Sequence, residues 1–291
     1  MKAISNVKSD QPSTSNDAVL REWRDSAFYW QKHLHTIRVM FAPLTQALID
    51  DAGIIEGDSV LDVAGGSGEP SLTIAERVGP SGTVTFTDAV VEMVTAAQME
   101  AQQRGLKNIT FRQCAADGLP FENESFDAVV CRLGAMFFPD PLAALREMSR
   151  VTKHVGSVAL VVWGKSELNP FSYAITNVVE RYSEVSPADP NAPGAFRFAE
   201  PGALAGVLKE AGANDVRERV LKFNITAPLS PEQFWEMRSQ TSGTLREKLA
   251  TLPQARAELL AQEALQAIRE YSSKNQISFP AQMIVVTGQK P

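Results

Sequence analysis

Cysteine is nearly missing from this chain of 291 residues: there are two, Cys114 and Cys131, both inside apolar runs that read as strands. That excludes a disulfide framework, and the two thiols are expected as small core hydrophobes in a reduced, cytoplasmic compartment. Histidine is almost as scarce, with His33, His35 and His154 the full set. No Cys, His and carboxylate group has metal-ligand spacing, so no metal is expected. Apolar runs stay well short of the roughly 18 residues a membrane helix needs. Residues 1–17 are polar and lack the apolar stretch of a signal peptide; they are expected as a disordered tail. Basic excess is absent too: Lys and Arg total 28 against 34 Asp and Glu, a net charge of −6. With no local basic stripe, nucleic acid is not an expected partner. Repeats and low-complexity tracts are also lacking.

What remains is the composition of a globular chain, 44% hydrophobic and long enough to bury a real core without staples. From 18 to 52 the apolar residues recur at helical intervals (Trp23, Ala27, Trp30, Leu34, Ile37, Phe41, Leu44, Leu48). Pro43 is expected to break or kink that stretch into two or three helices. Short β-branched runs follow at 59–64 (SVLDVA), 83–87, 109–114, 126–131 and 155–163, with helical segments near 70–78, 90–105 and 141–150. Strands alternating with helices predict βαβ units and a parallel sheet covered on both faces. Beyond Trp163 the alternation loosens. A proline-rich stretch at 165–200 carries a helix near 171–183, another helix spans about 201–211, and a strand lies near 216–225. Residues 230–275 read as wholly helical, and 282–287 form a last strand.

The chemistry concentrates at Val60-Leu61-Asp62-Val63-Ala64-Gly65-Gly66-Ser67-Gly68-Glu69-Pro70. A buried strand runs into three glycines and then into a helix starting at Pro70 or Ser71. Such a turn lets a ligand approach the backbone closely and faces it with free helix N–H groups. Alone it is a weak signal, because some glycine-rich strand–helix turns are merely tight connections. Asp88 ends the next strand, twenty residues past Gly68, where a carboxylate can accept both hydroxyls of a ribose; it could also cap the helix that follows. A dinucleotide site would want a third glycine after Gly66-Ser67-Gly68 and would not want Glu69 and Asp62 beside a pyrophosphate. Carboxylates there suit a ligand with an ammonium and a sulfonium, which points to S-adenosylmethionine.

The segment resembles the E/D-x-G-x-G-x-G signature of class I S-adenosylmethionine-dependent methyltransferases, in the ubiquinone/menaquinone-biosynthesis-like group. Further matches are Asp88, Ala116-Asp117-Gly118-Leu119-Pro120-Phe121, Ser125-Phe126-Asp127, Phe137-Phe138-Pro139-Asp140-Pro141 and Arg146-Glu147-Met148-Ser149-Arg150-Val151. They cover about residues 54–164. The chain departs at Ala64, where the signature often has glycine, and at Lys153-His154-Val155-Gly156, where it often has Lys-Pro-Gly-Gly. The resemblance implies an α/β, Rossmann-like, seven-stranded and mostly parallel sheet with helices on both faces and the last strand antiparallel. An N-terminal helical cap (18–52) and insertions at 165–200 and 230–275 would cover the site within a methyltransferase domain at 53–291.

The resemblance further implies that Asp62 and the backbone of Ala64, Gly65, Gly66 and Gly68 hold the amino-acid end of S-adenosylmethionine. Asp88 takes the ribose, Ala89 and Met93 flank the adenine, Ala116 and Asp117 meet its edge, and Arg132 and Leu133 line the methionine portion. Asp117 could instead be a turn residue, and Arg132 could pair with Asp62 or Glu69. Transfer from a sulfonium needs alignment and a dry cavity, and a base only if the acceptor holds a proton. His33, in the helical cap, is the candidate base. Tyr29, Trp30, Met136, Phe137, Trp163 and Trp235 are the candidate acceptor-lining residues, and they point to an apolar, aromatic or prenyl-like small molecule methylated on carbon or oxygen. S-adenosylhomocysteine would be the product. A nicotinamide-dependent oxidoreductase and a non-catalytic S-adenosylmethionine-binding protein are the alternatives. A monomer or homodimer is expected.

Overall fold

The structure is a computed structural model that describes residues 15–182 and 192–291. The expected tail therefore lies outside the described residues up to 14, while 15–17 belong to a helix. Pro187 and Pro190 of the 165–200 segment also fall outside.

Helix α1 (Ser15–Lys32) and helix α2 (Leu34–Ala52) occupy the segment expected as an N-terminal cap. The chain breaks at His33, whose backbone sits at φ −101°, ψ 9°, and not at Pro43, which lies inside α2. Pro43 and Val39, four residues earlier, line the same solvent-open groove. Water can therefore reach the carbonyl that the proline leaves unbonded.

The sheet follows: β1 (Ser59–Val63), β2 (Thr83–Asp88), β3 (Ile109–Gln113), β4 (Phe126–Arg132), β5 (Thr152–Trp163), β6 (Asn214–Ala227), a two-residue β7 (Ser272–Ser273) and β8 (Gln276–Gln289). The order is β3-β2-β1-β4-β5-β8-β6, with β7 paired to β8. The first five strands run parallel, and β8 is inserted antiparallel between β5 and β6. Every residue from Val158 to Trp163 is buried, so both faces of the sheet are covered there, as the unbroken apolar run predicts. Helix α2 packs on β4, β5 and β6; α5 (Pro141–Val151) and α7 (Ala203–Glu210) pack on the same strands from the other side. Helices α3 (Ser71–Val78) and α4 (Val91–Gln103) complete the βαβ units, and α6 (Pro170–Glu180) follows β5.

One expectation fails in the insertion. Helices α8 (Pro231–Thr241), α9 (Gly243–Thr251) and α10 (Gln254–Arg269) are present, but residues 271–275 form a hairpin and β8 begins at Gln276, six residues earlier than the apolar run suggests. Pro280 hid that first half. It pairs with Asn224 on β6, while β5 pairs only with Met283–Gln289. Pro280 thus lies where one edge of β8 is free and its missing N–H costs no ladder bond.

Candidate active site

At the carboxyl end of β1 the chain turns through residues that demand unusual backbone. Ala64, Gly66 and Gly68 have φ of +58°, +58° and +123°. A side chain at Gly65 would place its Cβ 2.4 Å from Phe86 and 2.8 Å from the Asp62 carboxylate, so only glycine lets this loop lie on β2. Asp62 is fully buried. Its Oδ2 accepts from the Ser71 hydroxyl at 2.6 Å and the Ser71 amide at 3.2 Å; its Oδ1 is buried without a partner. Burial pushes its carboxyl up to about 7 against the opposing pull of Ser71 and of the Arg132 charge.

Asp88, at the end of β2, accepts from the Gly66 amide (2.9 Å) on one oxygen and the Val90 amide (2.9 Å) on the other. Burial raises its pKa, and these amides oppose the rise. Both sequence readings of Asp88 are thus compatible: it caps the turn before α4, and each oxygen keeps a lone pair for a hydroxyl. Gly66 spends its N–H on this carboxylate, so one donor that a pyrophosphate would require is committed. The loop after β4 closes the site. Leu133 has φ +59°, and a Cβ at Gly134 would fall 2.8 Å from that of Ala64, so the loops after β1 and β4 touch.

Two charges differ from expectation. Glu69 is buried, yet its carboxylate faces Arg104 at 2.9 Å, Arg38 at 3.3 Å and the Thr73 hydroxyl at 2.7 Å. Its charge is offset internally, and the acidity available to a ligand narrows to Asp62 and Asp88. Arg132 forms no ion pair with Asp62 or Glu69 within the described residues. Its guanidinium donates to the Thr45 hydroxyl (2.9 Å), its Nε is buried without a partner, and desolvation lowers its pKa against the attraction of Glu69 and Asp62.

Helix α1 roofs this loop. Ala27 packs with Val90 and Met93, joined by Leu20, Trp23 and Trp30, and Trp23 meets Phe137 edge-on at 5.1 Å. The helix therefore spans from the end of β2 to the loop after β4. Met136, beside Phe137 in the same loop, is buried. Trp30 donates its indole N–H to the Thr241 carbonyl (3.2 Å), tying α1 to α8. Tyr29 lies under the Arg246 guanidinium of α9 at 5.0 Å, and His33 Nε2 is 2.8 Å from Gln240 Oε1. Both belong to the seam between cap and insertion. Trp163, at the carboxyl end of β5, stacks on Phe171 at 5.8 Å, and Trp235 is half-buried against the same core. Ala116 and the exposed Asp117 follow β3, next to the point where the Cys114 amide bonds the Asp88 carbonyl (3.0 Å). Cys131 is buried, while Cys114 is only half-buried, and both are free. Sequence reasoning missed Arg238, on the inward face of α8; the signal was an arginine on the apolar stripe of Phe234, Met237 and Thr241.

The residues fit S-adenosylmethionine: an orphaned buried acceptor at Asp62 for an ammonium, a paired-oxygen acceptor at Asp88 for a ribose, and a glycine cradle that a Cβ would fill. Sheet order, glycine turn and terminal Asp88 define the class I methyltransferase type of nucleoside site. Comparison with known proteins agrees. The model of the ubiE/COQ5 methyltransferase family matches residues 44–185. Nocamycin O-methyltransferase of Saccharothrix syringae is 31% identical over 197 residues, 65% of this chain and 70% of that one. The ubiquinone/menaquinone biosynthesis C-methyltransferase UbiE of Pasteurella multocida is 32% identical over 178 residues, 60% and 63% of the two chains. An uncharacterized protein of Mycobacterium tuberculosis is 39% identical over 124 residues, a match that spans 44% of its length. Among solved structures, phosphoethanolamine N-methyltransferase 2 of Haemonchus contortus aligns with TM-score 0.56 at 17% identity, over 94% of this chain and 60% of that one. The YcgJ protein of Bacillus subtilis aligns at 0.53 and 22%, over 84% and 97%; at these identities the likeness is one of fold. The chain belongs to the ubiE/COQ5-like family of class I S-adenosylmethionine-dependent methyltransferases.

Proposed function

We propose that the protein transfers the methyl group of S-adenosylmethionine to carbon or oxygen of a hydrophobic small molecule by in-line displacement. The observation that carries this reading is the pair of buried carboxylates at the ends of β1 and β2, one with an unpartnered oxygen, around a loop whose own amide is already spent on Asp88. The cofactor supplies an electrophilic methyl on a sulfonium that is already activated. The protein's part is positional. Asp62 and the 64–68 backbone hold the amino-acid end, with Arg132 and Leu133 beside it. Asp88 fixes the ribose, and Ala89, Met93, Ala116 and Asp117 enclose the adenine. Helix α1 and the insertion exclude water, which strengthens every polar contact inside. Trp30, Met136, Phe137, Trp163 and Trp235 present the apolar wall to the acceptor. His33 and Tyr29, engaged with Gln240 and Arg246, tie the cap to the insertion.

Incubation with methyl-labelled S-adenosylmethionine and a panel of quinols, phenols, indoles and aromatic acids, read by mass spectrometry, tests this. The expected result is a labelled acceptor matched by an equal amount of S-adenosylhomocysteine. Tight cofactor binding with no transfer to any acceptor would favour a binding protein instead.

A further inference from the structure

Half-buried arginines turned toward the interior of this molecule have companions. Arg104 is paired with Glu69 and Glu100, at 2.9 and 2.7 Å, and Arg132 has Thr45 and the attraction of two carboxylates. Arg238 differs. It projects from α8 one turn after the fully buried Phe234. Its Nε is inaccessible to solvent and has no hydrogen-bond partner, and no carboxylate among the described residues pairs with it. Burial alone, with no charge opposing it, pulls its pKa down to about 10. The guanidinium lies over the ring of Phe171, 4.8 Å from the centroid. That contact is attractive, but it does not replace the hydration lost or offer an acceptor to the N–H groups.

The surroundings say what would. Phe171 stacks on Trp163 at 5.8 Å and meets Phe41 and Phe234 edge-on at 5.6 and 5.5 Å. Trp163 ends β5, two residues beyond the partner of Arg132, at the sheet edge where ligands of open α/β sheets sit. On the other side, α8 is tied through Thr241 to Trp30 of the helix that roofs the cofactor loop. Arg238 therefore stands between the cofactor roof and an aromatic wall, bearing a charge that the protein itself leaves uncompensated.

We propose that Arg238 is a specificity-determining residue that anchors a carboxylate on an aromatic acceptor, with Phe171 and Trp163 against the acceptor's ring. A planar carboxylate matches the guanidinium fork and would supply both the missing counter-charge and the missing acceptors. This inference rests on the methyltransferase reading above and narrows the substrate class to aromatic acids. It also explains why a half-buried cation with an inaccessible, unpartnered Nε is retained where a Met would pack: removing an unpaired, largely desolvated charge is ordinarily stabilising, so its presence is a sign of use.

The test uses 4-hydroxybenzoate and its neutral counterpart 4-hydroxybenzamide, titrated calorimetrically into the protein saturated with S-adenosylhomocysteine. The expected result is at least tenfold tighter binding of the acid by the native protein. In Arg238→Met the preference should fall to near parity, S-adenosylhomocysteine affinity should be unchanged, and the melting temperature of the ligand-free protein should be equal or higher. Arg238→Gln serves the same purpose should the Met variant not fold. Equal binding of acid and amide by the native protein, binding of neither, a preference that survives in the variants, or a melting temperature that falls in both because only the stack on Phe171 mattered, would each overturn the proposal. Failure of the native protein to bind S-adenosylhomocysteine would instead bring down the methyltransferase reading.

Discussion

Asp62 carries the sharpest residue-scale consequence. In the folded protein its carboxyl titrates near 7, against 3.8 for a free group. The native state thus keeps a proton that the unfolded chain releases between about pH 4 and 7. Its contribution to stability falls as pH rises through that window and is fully unfavourable above it, by at most about 4 kcal/mol. Asp62→Asn removes the effect. Urea midpoints of the ligand-free protein should decline less from pH 5 to pH 8 in the variant, and identical slopes would place the proton elsewhere. Backbone strain gives a second expectation. Ala64 and Val155, the two places where the chain departs from glycine in its family's pattern, both have positive φ, +58° and +56°. Val155 is 67% exposed and β-branched, so little packing repays the conformation. Val155→Gly should raise stability by about 1 kcal/mol without altering cofactor affinity; calorimetric melting and a binding titration check both halves. Glu69 shows where residue-level reading stops. Its charge is plain in the sequence, but the arginines that offset it come from 31 positions before and 35 after, beyond any local pattern.

At the scale of elements, the cap works as a roof because α1 touches both sides of the cofactor loop: Met93 and Val90 on one, Phe137 on the other. Trp23 spans that gap. Trp23→Ala loses an edge-to-face pair and its buried area, so S-adenosylhomocysteine should leave about tenfold faster. Stopped-flow displacement measures this, and an unchanged rate would mean that α1 does not gate the site. The helices themselves were legible from their apolar spacing, as was the sheet from its β-branched runs. The break between α1 and α2 was not. A proline is the strongest local breaker, yet Pro43 sits on the exposed side of α2, and the turn falls instead at His33, whose ring bonds Gln240 of the insertion. The first half of β8 was hidden for the same kind of reason. A proline reads as a strand breaker until the open edge beside it is known.

For the molecule as a whole, the order β3-β2-β1-β4-β5-β8-β6 puts Asp62, Asp88 and Arg132 at the carboxyl ends of adjacent central strands, with α1 lying across the loops that follow β2 and β4. The residues proposed to hold the cofactor were legible as one strand–turn–helix motif and one terminal aspartate. The residues proposed for the acceptor were legible only in part, as aromatics of α1, β5 and α8; Phe171 and Arg238 join Trp163 only in three dimensions. What the loop between β1 and α3 will hold decides the function. Parallel calorimetric titrations of the native protein and Asp88→Ala with S-adenosylhomocysteine and with NADH measure that directly. We expect the native protein to bind S-adenosylhomocysteine and not NADH, and Asp88→Ala to weaken that binding at least tenfold while remaining folded. Binding of NADH in preference, or an affinity for S-adenosylhomocysteine indifferent to the loss of Asp88, would contradict it.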